Sequence, residues 1–325
     1  MVFGMLKASV IVPVHNGEKT IADCLHSILS QCTAFPFEVI VVNDGSTDKT
    51  AEIAKEFGKT RLISQKQQGP AVARNNGAKE ADGNVIVFID SDCVAAANWL
   101  QEMVSPLHSM EIAGVQGRYK SKQKQLIARL IQLEIEQRHD KMAEQQFIDF
   151  MGSYSAAYRK SVFQEMHGFD ASFPMASGED TDLSFRINKK GHKLLFNPKA
   201  IVFHTHPTSL HRYLKVKFYR AFWRVKVYGK HKGKIAKDSY TSQAIKAQIL
   251  IVLFLFLSII AAIFSPIALY AAGLALLLLF LSGLPFAAWA FKKDKAVGLI
   301  APFVSVIRAI VFATGLALGI LNELK

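Results

Sequence analysis

Asp90 and Asp92 flank one serine at the end of an apolar run, in NVIVFIDSDCV (84–94). Two carboxylates on the same side of a strand end resist joint ionisation unless a cation offsets them, and carboxylate oxygens suit Mg²⁺ or Mn²⁺. A cation held by one or two carboxylates takes its remaining ligands from elsewhere, most readily from substrate phosphates. D-x-D by itself is short, and a solvated loop explains most such triplets, so its weight comes from its companions. Two more polar clusters close apolar runs: His15-Asn16-Gly17-Glu18 and Asn43-Asp44-Gly45-Ser46. Glu179, Asp180 and Asp182 stand in ASGEDTDLSFRI, on or just before a helix start, where acids also serve as caps. His204 and His206 follow AIVF in FHTHP, and at i, i+2 on an extended segment they are expected to point the same way.

The elements that must position these groups alternate. ASVIVPV, FEVIVVND, RLIS and NVIVFID read as strands; EKTIADCLHSILSQ, DKTAEIAKEFG and PAVARNNGAKEA read as helices. This βαβα order with continuously apolar strands predicts an α/β fold around a mostly parallel sheet covered on both faces. Ligands of such sheets bind beyond the C-terminal strand ends. The His15, Asp44 and Asp90 clusters all fall there, which defines one rim. Residues 122–147 read as a long amphipathic helix, and 208–228 as a helix mixing Arg and Lys with aromatic and aliphatic residues.

SVIVPVHNGEKTIADCLHSI, EVIVVNDGSTDKTAEIA, GPAVARNNGAKEADGNVIVFIDSDC and GEDTDLSFRI together resemble the successive signatures of the GT-A glycosyltransferases, specifically family 2, over roughly residues 8–205. The resemblance implies a GT-A fold and transfer of a sugar from a nucleotide-sugar to an acceptor with inversion. It implies that Pro13, His15, Asn16 and Glu18 line the nucleotide pocket and that Asp44 accepts a hydrogen bond from the base, uracil for a UDP-linked donor. Arg74 would meet the base or diphosphate, Asp92 would ligate the metal, and Asp90, beside Ser91, would contact ribose or metal. Asp180 resembles the base that deprotonates an acceptor hydroxyl, with Glu179 beside it, and His204 resembles a late metal ligand of some GT-A enzymes. The implied cofactor is Mg²⁺ or Mn²⁺, acting on the leaving diphosphate as a Lewis acid. Processive members carry Q-x-x-R-W; this chain has Lys217 and Ala221 at those places, which points to single addition onto a lipid-linked acceptor.

Beyond the first 206 residues the composition changes. Half of the 325 residues are hydrophobic, yet the formal charge is +13. Runs at 247–264, 267–291 and 296–321 each approach or exceed the roughly 20 residues that cross a bilayer. The expected organisation is a catalytic domain at 1–206, a basic juxtamembrane segment at 207–243 and three transmembrane helices at 244–325. Basic loops before the first run and at KKDK (292–295) orient the large domain to the cytoplasm and the C-terminus outside. Three cysteines without CxxC spacing fit a reducing compartment, and the N-terminus shows no signal-peptide pattern. Arg308, inside the third run, is expected either to meet a lipid phosphate or to snorkel to the interface. Expected partners are the donor, a lipid or lipid-linked acceptor and the membrane. Two rival readings are a polyprenyl-phosphate glycosyltransferase, whose anionic acceptor needs no base, and a non-catalytic nucleotide-sugar-binding membrane protein. Nucleic acid, suggested by the charge alone, is not an expected partner, because the basic helix adjoins the apolar runs.

Overall fold

A computed structural model describes residues 6–173, 175, 177–235 and 243–324. The chain divides into two compact units: residues 1–122 with 135–205, and 123–134 with 206–325. Residues 123–134, expected in the first domain, therefore group with the second unit. The stretch 236–242 of the expected juxtamembrane segment lies outside the described residues.

In chain order the first unit runs β1 (Ala8–Val14), α1 (Ile21–Leu29), β2 (Phe37–Asp44), α2 (Thr50–Glu56), β3 (Thr60–Gln65), α3 (Pro70–Lys79), β4 (Val85–Ile89), β5 (Cys93–Ala95) and α4 (Trp99–Val104). It continues through β6 (Ile112–Lys120), α5 (Leu126–Ala143), β7 (Ser155–Arg159), α6 (Lys160–Glu165), α7 (Glu179–Lys189) and β8 (Lys193–His204). The first turns of α5 belong to the second unit. The eight strands form one sheet in the order β3-β2-β1-β4-β7-β6-β8-β5. The strands read from sequence, β1 to β4, are mutually parallel, and β7 then runs antiparallel between β4 and β6. Every residue of β1 and β4 is buried, so these strands lack the polar alternation of a sheet with one wet face. One apolar cluster packs α1 and α4 on one side of the sheet; another packs α3, α6 and α7 on the other.

Register places the chemistry. Val14 pairs with Asn43, and Ile11 with Phe88, so β1, β2 and β4 end at one rim and deliver His15, Asp44 and Asp90 there. At the far end, β5 and β8 are antiparallel with Cys93 opposite His204, which brings Asp92 beside that histidine.

The second unit contains α8 (Leu210–Lys230), α9 (Gln243–Ala261), α10 (Ala268–Lys293) and α11 (Lys295–Glu323). The last three are long and apolar enough to cross a membrane. Two apolar clusters hold the unit together. One joins Leu130 and Leu133 of α5 to Tyr213, Ala290, Val297 and Val304; the other joins Leu255 to Ala272, Ala275, Leu279 and Ala309.

Candidate active site

The loop after β1 and the loop after β2 are laced into one wall. The Asn16 amide donates to Ser46 Oγ at 3.0 Å, the Gly17 amide to Thr50 Oγ1 at 2.8 Å and the Thr47 amide to Asn16 Oδ1 at 2.8 Å. His15 Nδ1 lies 2.8 Å from the Asp44 carbonyl oxygen, and His15, Asn16 and Glu18 are exposed on this wall. Asn16 takes φ 52°, a left-handed turn that asparagine tolerates because its amide bonds locally, as it does here to Thr47. Gly45 also has positive φ, and a Cβ there would stand 2.7 Å from the Gln67 amide nitrogen, so only glycine lets the two loops close.

Two residues expected at the nucleotide are buried. Pro13 is buried within β1, paired across the ladder with Val42, and so supports the wall from beneath. Asp44 is buried, and its carboxylate accepts from Gln65 Nε2 at 2.7 Å and from the Gln68 and Gly69 amides at 2.8 Å each. Three of its roughly four lone-pair sites are thereby taken by the loop ahead of α3. It anchors that loop, leaving one site for a further donor.

Arg74 joins two motifs that lie far apart in sequence. Buried on α3, it donates from Nη2 to Asp90 Oδ1 at 2.8 Å and from Nη1 to Glu179 Oε1 at 3.2 Å, while its guanidinium lies over the Phe169 ring. Glu179 is 1% exposed and its second oxygen accepts from the Ser177 and Gly178 amides. Burial, and then the neighbouring Asp180 charge, push its carboxyl up to about 7, with Arg74 offsetting part of the rise. Glu179, expected beside the base as a catalytic group, is turned inward on Arg74. Asp180 is half-buried in the first turn of α7 and accepts from the Thr181 amide at 2.7 Å. Asp182 is buried in an ion pair with Arg186 at 2.8 Å, which removes it from the rim.

Asp92 points the other way along the rim. Its side chain is 45% exposed and its Oδ2 lies 3.2 Å from His204 Nε2. Burial would raise its carboxyl, but the hydrogen bond and charge of His204 hold it below the usual carboxylate range. The two histidines of FHTHP differ in their partners: His206 is buried, with Nε2 at 2.9 Å from Gln132 Oε1. Behind His204 stands an aromatic stack that sequence inspection missed. The Tyr119 ring lies 3.5 Å from that of Tyr154 and 4.8 Å from that of His204, and Tyr154 Oη lies 2.6 Å from Gln116 Nε2 and 2.9 Å from His139 Nε2. No local motif announces it, because these residues meet only through the β6–β7 pairing and α5.

The donor set fits a divalent cation of the Mg²⁺ or Mn²⁺ type. The partly exposed Asp92 stands beside His204, and Arg74 takes only Oδ1 of Asp90. Among the described residues no group of three or more His, Cys, Asp or Glu side chains forms a closed cage. An open half-shell of this kind is what a cation shared with substrate phosphates needs.

Residues 9–166 match the family model described as glycosyl transferase family 2. Glycosyltransferase AglE of Haloferax volcanii is 39% identical over 107 residues, 30% of this chain and 34% of that protein. A pre-mycofactocin glycosyltransferase of Mycobacterium tuberculosis is 26% identical over 251 residues, 74% of this chain and 52% of that protein. The chain thus spans about a third to a half of the length of these curated relatives. Among solved structures, the mannosyltransferase PcManGT from Pyrobaculum calidifontis, in complex with GDP-Man and Mn²⁺, shares the fold with a TM-score of 0.62 at 21% identity, covering 99% of this chain and 88% of that one.

Proposed function

We propose, from the match of residues 9–166 to glycosyl transferase family 2 and from the shared fold, an inverting glycosyltransferase that moves a sugar from a nucleotide-sugar to a hydroxyl of a lipid-linked acceptor at the cytoplasmic membrane face. The observation that carries this reading is Arg74, whose one guanidinium ties the strand-end carboxylate Asp90 to the start of the helix that presents Asp180. Donor-binding and acceptor-activating groups are thereby held on one rim.

His15, Asn16 and Glu18 line the nucleotide side, and the remaining acceptor site of Asp44 is available to a base N–H. Ser91 and the free edge of Asp90 face the donor. Asp92 and His204 would hold Mg²⁺ or Mn²⁺, which would offset the charge of the departing diphosphate. Asp180 accepts the proton as the acceptor oxygen attacks the anomeric carbon from the side opposite the diphosphate, whose bond to that carbon breaks. Glu179 and Arg74 keep Asp180 in place, and the Tyr119–Tyr154 stack supports the His204 ring. The apolar helices of the second unit and the basic segments that flank them support integral, multi-pass membrane placement with the catalytic unit cytoplasmic.

The test is turnover of UDP- and GDP-linked sugars, the latter because PcManGT was crystallised with GDP-Man, using membrane lipid extract and Mn²⁺ or Mg²⁺. Asp92→Ala is expected to abolish metal-dependent transfer. Asp180→Asn is expected to remove nearly all transfer while donor binding persists. A modest loss in Asp180→Asn would instead mark an acceptor that is already an anion, as in polyprenyl-phosphate glycosylation. Absence of both turnover and metal-dependent donor binding in the unaltered protein would overturn the enzyme reading.

A further inference from the structure

α3 is seated hard on the sheet: a Cβ at Gly77 would stand 2.5 Å from Ile11 Cγ2 of β1. Two consecutive side chains of this anchored helix reach toward α7. Arg74 takes Asp90 and Glu179. Asn75 spends both ends of its amide on a single residue. Its Nδ2 donates to the Phe169 carbonyl at 2.7 Å, and its Oδ1 accepts from the Phe169 amide at 2.9 Å. The Phe169 ring held in this way is the one that lies under the Arg74 guanidinium.

The grip closes a turn that is costly to form. His167 and Gly168 both take left-handed backbone angles, φ 57° and 69°, and for a residue other than glycine that costs about 1–2 kcal/mol. A Cβ on Gly168 would stand 2.5 Å from Asn75 Oδ1. From the opposite side Arg186 of α7 donates from Nη2 to the Gly168 carbonyl at 2.8 Å and from Nη1 to the Met166 carbonyl. Its Nε pairs with Asp182 at 2.8 Å. The turn at 166–169 is therefore held by α3 on one side and by α7, which carries Asp180 in its first turn, on the other. Strained turns persist only where their surroundings over-determine them, and they gather near functional sites.

We propose that Asn75 and Arg186 are positioning residues for acceptor activation: by gripping the 166–169 turn from opposite sides they fix the start of α7, and with it the Asp180 carboxylate, relative to α3 and Asp90. This rests on the reading of Asp180 as the base. It also gives Asp182 a task, the orientation of Arg186. α7 keeps a separate tie, from the Met151 amide to Ser184 Oγ at 2.9 Å, so loss of the Asn75 grip shifts the start of the helix without detaching it. Proton transfer is sensitive to such a shift, because a misplacement of about 1 Å costs on the order of a hundredfold in rate. The donor side depends on it less, since Asp90 follows β4 and Asp92 precedes β5, both held by the sheet.

The test measures transfer by Asn75→Ala, Gly168→Ala, their double variant and Asp180→Asn, with membrane lipid extract, Mn²⁺ and the nucleotide-sugar that the unaltered protein turns over. Asn75→Ala removes the grip. Gly168→Ala drives a methyl group into it with Asn75 still present, so it reports even where the first variant fails to fold. In both, kcat is expected to fall about tenfold to a hundredfold, with donor KM and the half-saturating Mn²⁺ concentration within about twofold of the unaltered protein. In the double variant the loss should be smaller than the product of the two, because the added methyl no longer meets the Asn75 amide. A kcat within about twofold in either variant, a donor KM that rises as far as kcat falls, or losses that multiply would each overturn the proposal. Asp180→Asn separates the two readings. If it retains most transfer, the base reading fails and the proposal with it; if it loses transfer while Asn75→Ala does not, the proposal alone fails.

Discussion

The two units each bury an ion cluster built from a 2:1 ratio of charges, with opposite signs in excess. At the rim one guanidinium, Arg74, serves two carboxylates, Asp90 and Glu179. In the second unit one carboxylate, Glu134, serves two cations, Lys217 and Arg308. The two glutamates therefore move in opposite directions. Burial and Asp180 push Glu179 up to about 7. Burial would raise Glu134 too, but Lys217 and Arg308 override it and hold Glu134 at about 2. The rim cluster remains short of positive charge with Asp90 partly open, which is the electrostatic condition for attracting a cation. The Glu134 cluster carries the opposite excess and is enclosed by the Tyr213, Gln248 and Ser305 side chains. An open cluster is suited to binding, whereas an enclosed one is suited to holding helices together.

The comparison breaks most strongly when the single member of each trio is removed. Arg74→Met leaves two carboxylates facing each other and is expected to cost about 3–5 kcal/mol in stability, together with turnover. Glu134→Gln leaves two facing cations and is expected to cost a similar amount while donor binding survives. Thermal melts in detergent with nucleotide-sugar titrations distinguish them; loss of donor binding in Glu134→Gln would show that the two clusters are not separate in function.

The pH dependence should also run in opposite directions. A carboxyl raised from an ordinary value of about 4.3 to about 7 contributes stability below the lower figure, and loses it as pH rises through the upper one. For Glu179 this amounts to about 4 kcal/mol at most, so Glu179→Gln is expected to flatten the fall in melting temperature between pH 5 and 8. Glu134, lowered to about 2, contributes above the ordinary value and loses its effect only as pH falls toward 2, so Glu134→Gln should leave the pH 5–8 slope unchanged. A slope unaltered by Glu179→Gln would remove the assigned charge imbalance. The smallest effect is expected from Lys217→Met: Arg308 still pairs with Glu134, and the loss is about 1 kcal/mol. A loss as large as that of Glu134→Gln would mean that the cations are not redundant.

Much of the rim was legible because parallel strands bury continuous apolar runs and put their loops at one edge. The limits of β1, β2 and β4 follow directly from ASVIVPV, FEVIVVND and NVIVFID. What stayed hidden depends on long-range pairing. Nothing local in ARNNGA tells that Arg74 will reach Glu179, nor does D-x-D tell that β5 will set Asp92 against His204. Pro13 and Asp44 match the motifs, yet nothing local tells that Pro13 is buried in the ladder or that Asp44 gives three acceptor sites to the loop ahead of α3. Arg308 illustrates the same limit: hydropathy offered a lipid phosphate or the interface, and its partner is a glutamate 174 positions earlier in the chain.

The pairing of β5 with β8 has a kinetic consequence. Asp92 stands just before β5 and His204 ends β8, two strands already bonded to each other, so this pair would need no loop to close before an ion arrives. Two protein donors are nevertheless too few to retain a hard divalent ion once the diphosphate departs. Asp92 and His204 would then rely on substrate phosphates to complete the ion's ligands, so the affinity of the chain for the metal alone would be weak and would rise with bound nucleotide.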